Sequence, residues 1–195
     1  MSQQLIIGNN NTHINLPCER LPYRIVLVHP SAGVNWSGGA EILAIELARC
    51  LSCYFEVELL SGANCGSFSY PIKCIPRTYA FNAVHHPLIA PLLGGFTTPE
   101  IVLEHLTSFF PCLLRLQSKP ADLIFPHNDY GGLAMAACVR SLQGTPILFT
   151  EHNSLLGKGD DGSLLQNGQC LKRNLRFCPD HLVVFDEATA AFTRT

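Results

Sequence analysis

The residues best suited to chemistry lie in two short loops. One reads PSAGVNWSGG, residues 30–39, and carries Gly33, Gly38 and Gly39; the other reads PHNDYGG, residues 126–132. Each follows a short apolar run and precedes a helical pattern. A helix that begins at Gly39 aims free N–H groups and the positive end of its dipole into the space ahead of it. Glycines at 38 and 39 leave no side chain between that backbone and an approaching anion. A phosphate is one ligand for such a loop. A plain tight turn explains the same glycines, and the loop alone does not separate the two.

Histidines mark the ends of the apolar runs. His29 closes the first, His127 the one before the second loop, and His152 a later one, TPILFTEHN. His127, with Asn128, reads as a cleft residue, or as a cap of the next helix through Asn128 and Asp129. Trp36 either anchors the first loop or offers a ring to a ligand. His85 and His86 sit in an apolar stretch and read as packing or surface residues.

The usual nucleotide loops are missing. There is no GKS or GKT, hence no phosphate-binding NTPase loop, and no GxGxxG. A dinucleotide fold also wants an acid at the end of its second strand for the ribose. That position here reads Leu59-Leu60-Ser61, so NAD is disfavoured. Cys50 and Cys53 form a CxxC at the end of a helix, where a redox motif would open one. No second Cys/His pair lies at zinc spacing, so no metal is expected.

The elements that must position these residues follow from periodicity. Residues 24–29 (RIVLVH) run apolar without alternation, as in a strand covered on both faces. Residues 39–52 carry a Leu43, Leu47, Cys50/Leu51 stripe at helical spacing. Strands are predicted at 54–60, 72–75, 122–126, 145–150 and 181–185, with a stray edge strand at 5–7. Helices are predicted at 99–118, 130–143 and 163–177; Thr98 as N-cap and Pro99 at the first position mark the start of the first of these. The apolar run 83–96 is expected to be core, the alternative being a greasy lip for a lipid-linked acceptor. Alternating strands and helices predict an α/β domain, a Rossmann-like doubly wound parallel sheet with strand order 3-2-1-4-5-6. In that order the ligand crevice lies between the first and fourth strands, where the two loops meet.

The chain has 195 residues, 47% of them hydrophobic and 14% charged, with net charge −2 and a pI near 6.4. That composition suits one globular domain, preceded by a polar tail over 1–22. It gives no electrostatic footprint for nucleic acid. The start has no basic region or long apolar run, so no secretory leader is expected. Nine cysteines then point to reduced thiols and a cytoplasmic setting. No run approaches the roughly 18 apolar residues that span a bilayer.

The ordered set RIVLVHPSAGVNWSGGAEILAIELARCLS, YFEVELLSG, PADLIFPHN, GTPILFTEHN and PDHLVVFDEA resembles the N-terminal domain of family 4 (group 1) glycosyltransferases of the GT-B fold. The likeness runs over about 24–190, with 61–98 poorly matched. It implies retaining transfer of a sugar from a nucleotide diphosphate sugar, with no metal or further cofactor. It implies that Gly38 and Gly39 approach the donor diphosphate. It also implies that His152 lies beside the donor sugar, in open solvent between the first and fourth strand ends, and that His127 lines the cleft. The acceptor would be a sugar or a lipid-linked sugar, the latter with peripheral membrane contact. Two departures stand out. Asp186 occupies a position where the family often has Ser. The family's second, donor-binding Rossmann-like domain is not within these 195 residues, so the chain is expected to be an acceptor-side domain, inactive alone. The rivals are a stand-alone sugar- or nucleotide-binding module and half of a GT-B-fold nucleotide-sugar epimerase.

Overall fold

The computed structural model describes residues 4–6, 13–15, 21–34, 38–93, 99–152, 173–185 and 187. Strand β1 (Gln4–Ile6) pairs antiparallel with β2 (His13–Asn15). The expected polar tail thus contains a hairpin, where a lone edge strand at 5–7 was predicted.

Strand β3 (Arg24–His29) is buried along its whole length, which demands a covering layer on each face. Successive side chains point to opposite faces. Ile25 and Leu27 pack with Leu59, Phe125 and Ala48 of helix α1 (Gly39–Leu51). Val26 and Val28 pack with Cys112, Leu116, Leu133 and Met135 on the other side. That second layer comprises α2 (Arg77–Ala83), α3 (Ala90–Leu93), α4 (Pro99–Ser118) and α5 (Tyr130–Gln143).

The central sheet is parallel. β3 pairs with β4 (Glu56–Ser61) on one side and β6 (Leu123–Pro126) on the other, and β4 pairs with the short β5 (Ser69–Pro71). β7 (Leu148–Glu151) joins β6 through bridges Ile124–Ile147 and His127–Thr150, and pairs in parallel with β8 (His181–Val184). Among the described residues the spatial order is therefore 3-2-1-4-5-6 for the six parallel strands. The fold is α/β and Rossmann-like, wound on both faces, as the sequence pattern predicts.

Local differences have local causes. The second strand starts at Glu56 because Tyr54 and Phe55 still donate to Leu51 and complete the turn that ends α1. The third strand is 69–71, ahead of the predicted 72–75; Ile72 still donates its N–H to the Ser61 carbonyl at 2.8 Å and buries its side chain, and pairing ends there. The run 83–96 is not core: among its described residues only Val84 and Leu93 are buried, while Leu88 and Leu92 are 76% and 77% exposed. Thr98 and nearly all of the helix predicted over 163–177 lie outside the described residues; its end forms a short 3-10 turn, Leu175–Phe177. No helix among the described residues is long and apolar enough to cross a membrane.

Candidate functional site

Parallel strands end on one edge of the sheet, so residues just past β3, β6, β7 and β8 become neighbours. The sequence supplies an aromatic or imidazole ring at each of these ends. Strand parity puts them on one face: His29 follows Leu27, His127 follows Phe125, and His152 follows Leu148 and Thr150, all on the α1 side. The rings form a row. His29 and His127 centroids are 6.5 Å apart, His127 and His152 4.4 Å, and His152 stacks on Phe185 at 4.5 Å.

His29 and His127 are buried, at 3% and 1% exposure. His152 is half-buried. The only ring hydrogen bond in the row joins His127 Nδ1 to Thr150 Oγ1 at 2.9 Å. His29 Nδ1, His127 Nε2 and His152 Nε2 are all buried without a partner. Such atoms are uncommon in folded proteins and call for an explanation. Burial pushes all three imidazoles toward the neutral form. It lowers His29 against the opposing pull of Asp129, Glu41 and Glu104, and lowers His152 against Glu151. It takes His127, with added repulsion from His152 and His29, down to about 3. Each ring is therefore neutral at pH 7 and carries one donor and one acceptor nitrogen. The row can hydrogen-bond neutral hydroxyls or oxygen acceptors; it is too weakly basic to remove protons efficiently.

The helix start belongs to the same edge. α1 follows β3 and runs back over this face, so its N-terminus lies at the carboxyl edge. Gly38 caps α1 in an extended conformation with no side-chain hydrogen bond. A Cβ on Gly38 would lie 2.8 Å from Glu41 Oε2, whereas one on Gly39 would meet nothing within 4 Å. Glu41 is also one of the charges acting on His29, which ties the helix start to the row. The loop between them is held down at Gly33, whose φ is +78° and whose missing side chain admits Cys65.

Behind the row, on the α4/α5 side, lies a charged layer. Buried Glu104 accepts hydrogen bonds from Ser31 Oγ, from the Arg77 N–H at 2.7 Å and from Arg77 Nη2 at 3.3 Å. Asp129 caps α5 by accepting from the N–H groups of Gly131 and Gly132, and pairs with His105 Nε2 at 3.0 Å. Burial alone would lower His105, but the Asp129 hydrogen bond and charge outweigh it and raise the imidazole pKa. Burial likewise would raise Asp129, and His105 outweighs it and lowers the carboxyl.

The sequence-derived site residues are thus mostly brought together. His127, Asn128 and His152 adjoin: Asn128 Oδ1 accepts the His152 backbone N–H at 3.2 Å. Asn128 holds a left-handed φ of 51° to do so. Gly38 and Gly39 share the edge. Trp36 lies outside the described residues. His152 differs from expectation: its ring does not stand in open solvent between the first and fourth strands but is lodged beside the fifth, between His127 and Phe185. His85 and His86 are exposed on the surface. Sequence reasoning missed Phe185, Glu104 and the His105–Asp129 pair. Glu104 and Ser108 at helical spacing with Cys112 and Leu116 were the available signal, being polar residues on an otherwise apolar face.

No metal centre is formed here. The three imidazoles step along the edge and do not converge, and among the described residues no group of three His, Cys, Asp or Glu side chains could hold an ion. Cys50 and Cys53 are exposed free thiols at the end of α1. No family model matches the chain, and no curated protein matches it.

Proposed function

We propose that the chain is the acceptor-side domain of a retaining glycosyltransferase of the GT-B type, taking a sugar from a nucleotide diphosphate sugar. The observation that supports this reading is the imidazole row, three buried ring nitrogens without partners at the carboxyl edge of a doubly wound sheet. That edge is where such folds bind ligands. Sugar hydroxyls both donate and accept hydrogen bonds, as neutral imidazole does. His152, backed by Phe185, then holds the donor sugar, with His127 and Asn128 beneath it. The N–H groups at Gly38 and Gly39 stabilise charge on the departing diphosphate. A second Rossmann-like domain closes the cleft in this reading. Residues 1–195 alone are then catalytically silent, because a one-walled cleft admits water, which weakens electrostatic catalysis.

The test is label transfer from nucleotide diphosphate sugars by a two-domain protein that carries this chain, the form the reading requires. Transfer that His152→Ala depresses supports the reading; no transfer from any such donor by the two-domain protein overturns it. The row is complete within this one chain, which favours a second reading, a non-catalytic sugar-binding module. Sugar binding without transfer in the two-domain protein would select it.

A further inference from the structure

On the opposite side of the sheet from the imidazole row, α4 and α5 leave an apolar groove of about 540 Å³. Val102, Leu106, Phe109, Phe110, Ala134 and Phe177 form its walls. Its volume and lining are those of a small-molecule site, mostly hydrophobic with few polar groups. It opens outward through Leu106 and Phe110, which are 61% and 66% exposed. Leu114, 64% exposed, continues that stripe by one more helical turn. Large apolar side chains in a continuous exposed row mark a binding surface more often than chance.

The groove's charges are one-sided. Among the described residues no Asp or Glu lines it, and the exposed Arg176 stands at its 3-10 end, its guanidinium 5.1 Å from the Phe177 ring centre. Arg176 makes no ion pair among the described residues. The other ionisable lining groups are already engaged, His105 by Asp129 and Tyr130 by Glu151. An occupant that is apolar along most of its length and anionic at one end matches this lining.

We propose that the groove between α4 and α5 holds the hydrocarbon chain of an anionic amphiphile, with its head group at Arg176. Chain burial supplies the affinity and the guanidinium fixes the direction of entry. The site lies on the other face from the imidazole row, so it stands or falls separately from sugar transfer.

Calorimetric titration of the whole chain with octyl, decyl and dodecyl phosphate, each below its critical micelle concentration, tests this. Each two-carbon extension should tighten binding about tenfold, the effect of burying two more methylenes. Ala134→Phe fills the groove and should abolish binding. Arg176→Gln should weaken dodecyl phosphate about fivefold, the scale of an exposed ion pair, and leave dodecyl maltoside unchanged. Phe110→Ser, at an exposed position that the fold does not need, should weaken every ligand and serves if Ala134→Phe fails to fold by circular dichroism. Affinity independent of chain length, inorganic phosphate binding as well as dodecyl phosphate, or binding seen only with phosphatidylglycerol vesicles would each overturn the proposal. The last outcome would mean adsorption to a bilayer surface in place of capture of a single chain.

Discussion

At the amino edge of the central sheet, Arg24 Nη2 binds Glu58 at 2.7 Å while its Nη1 donates to the carbonyls of Lys119 and Pro120. Arg115 grips the same Glu58 with two hydrogen bonds of 3.0 and 2.5 Å, and Lys119 reaches Glu56 at 2.7 Å. At the carboxyl edge of the same strands, three imidazoles hold buried nitrogens that bind nothing. The first edge is a network of opposite charges, in which Arg24 Nε lacks a hydrogen bond but stands 3.6 Å from Glu56. The second is neutral and desolvated. Burial opposes ionisation at both, but Glu58 is surrounded by cations that outweigh burial and lower its pKa, whereas His127 meets only other imidazoles and is driven to about 3. One edge is arranged to hold the fold together, and the other keeps ring nitrogens that the protein's own groups do not satisfy. Local inconsistency of that kind is where function is most often found.

The largest effect should follow from opening the closed edge. Arg24→Ala removes a buried cation and leaves Glu58 and two carbonyls without it. Loss of one partner of a buried pair costs about 3 kcal/mol or more. Urea unfolding should show that loss, and if the carboxyl edge binds sugar as proposed, that binding should persist in the folded fraction. A cost below about 1 kcal/mol would mean that the amino-edge network is surface decoration, and the contrast between the edges would fail.

The open edge should reveal itself through pH. His127 has a folded pKa of about 3 against an ordinary 6.5. Its folded pKa is depressed, so its contribution to stability is fully present above pH 6.5 and is lost as pH falls toward 3. Through that window the unfolded chain binds one more proton than the folded one, and stability falls by about 1.4 kcal/mol per pH unit. His127→Phe cannot take up that proton. Its stability curve should be shallower by that slope, although the hydrogen bond to Thr150 is lost. Two parallel curves would show that His127 titrates as freely as a surface imidazole.

The closed and open edges were not equally legible in the sequence. β3, α4 and α5 could be read almost to the residue, because burial on both faces makes an unbroken apolar run and because Pro99, Asp129 and Gly144 punctuate the helix ends. Strand-end histidines could be read as an edge cluster for the same reason: parallel strands all deliver their next residue to one side. What could not be read was depth. Nothing in TPILFTEHN says that His152 will be wedged between His127 and Phe185, since Phe185 comes from a strand 30 residues further on. The Glu104 and Asp129 layer was hidden because it depends on α4 crossing α5 closely at Gly131. A Cβ there would overlap the His105 ring. The run 83–96 misled because apolar composition fixes a preference for burial, and too little sheet remains beside β5 to bury it.

A middling effect separates the row's members. His152 is the half-buried one and the ring in contact with Phe185, so in the proposed reading it is the one that meets the sugar. His152→Ala should lower kcat/KM of the two-domain protein by about tenfold, the loss of one hydrogen bond of roughly 1.4 kcal/mol. Its stability should move little, since a half-exposed ring with no hydrogen bond of its own contributes mainly ring contacts. A variant that loses stability and keeps turnover would place His152 with the amino-edge residues, as a structural group.

The smallest effect tests the helix start, where the two glycines differ. Gly39 opens α1 with empty space where a Cβ would stand, so Gly39→Ala should change stability by no more than about 0.5 kcal/mol. Gly38→Ala would press on Glu41 Oε2, the free end of a flexible side chain, and Glu41 would swing aside. If that space belongs to a diphosphate, the Gly39→Ala methyl group intrudes on it in the complex though not in the free protein. The donor KM should then rise about fivefold, the equivalent of roughly 1 kcal/mol of overlap, and kcat should fall as well, because the displaced diphosphate leaves the N–H groups proposed to stabilise its departing charge. Gly38→Ala should act through Glu41 instead, by altering the charge beside His29, and its effect should vanish in a Glu41→Gln background. Unchanged KM in a normally folded Gly39→Ala variant would reduce the loop to a turn and leave the imidazole row as the only ligand-facing part of the open edge.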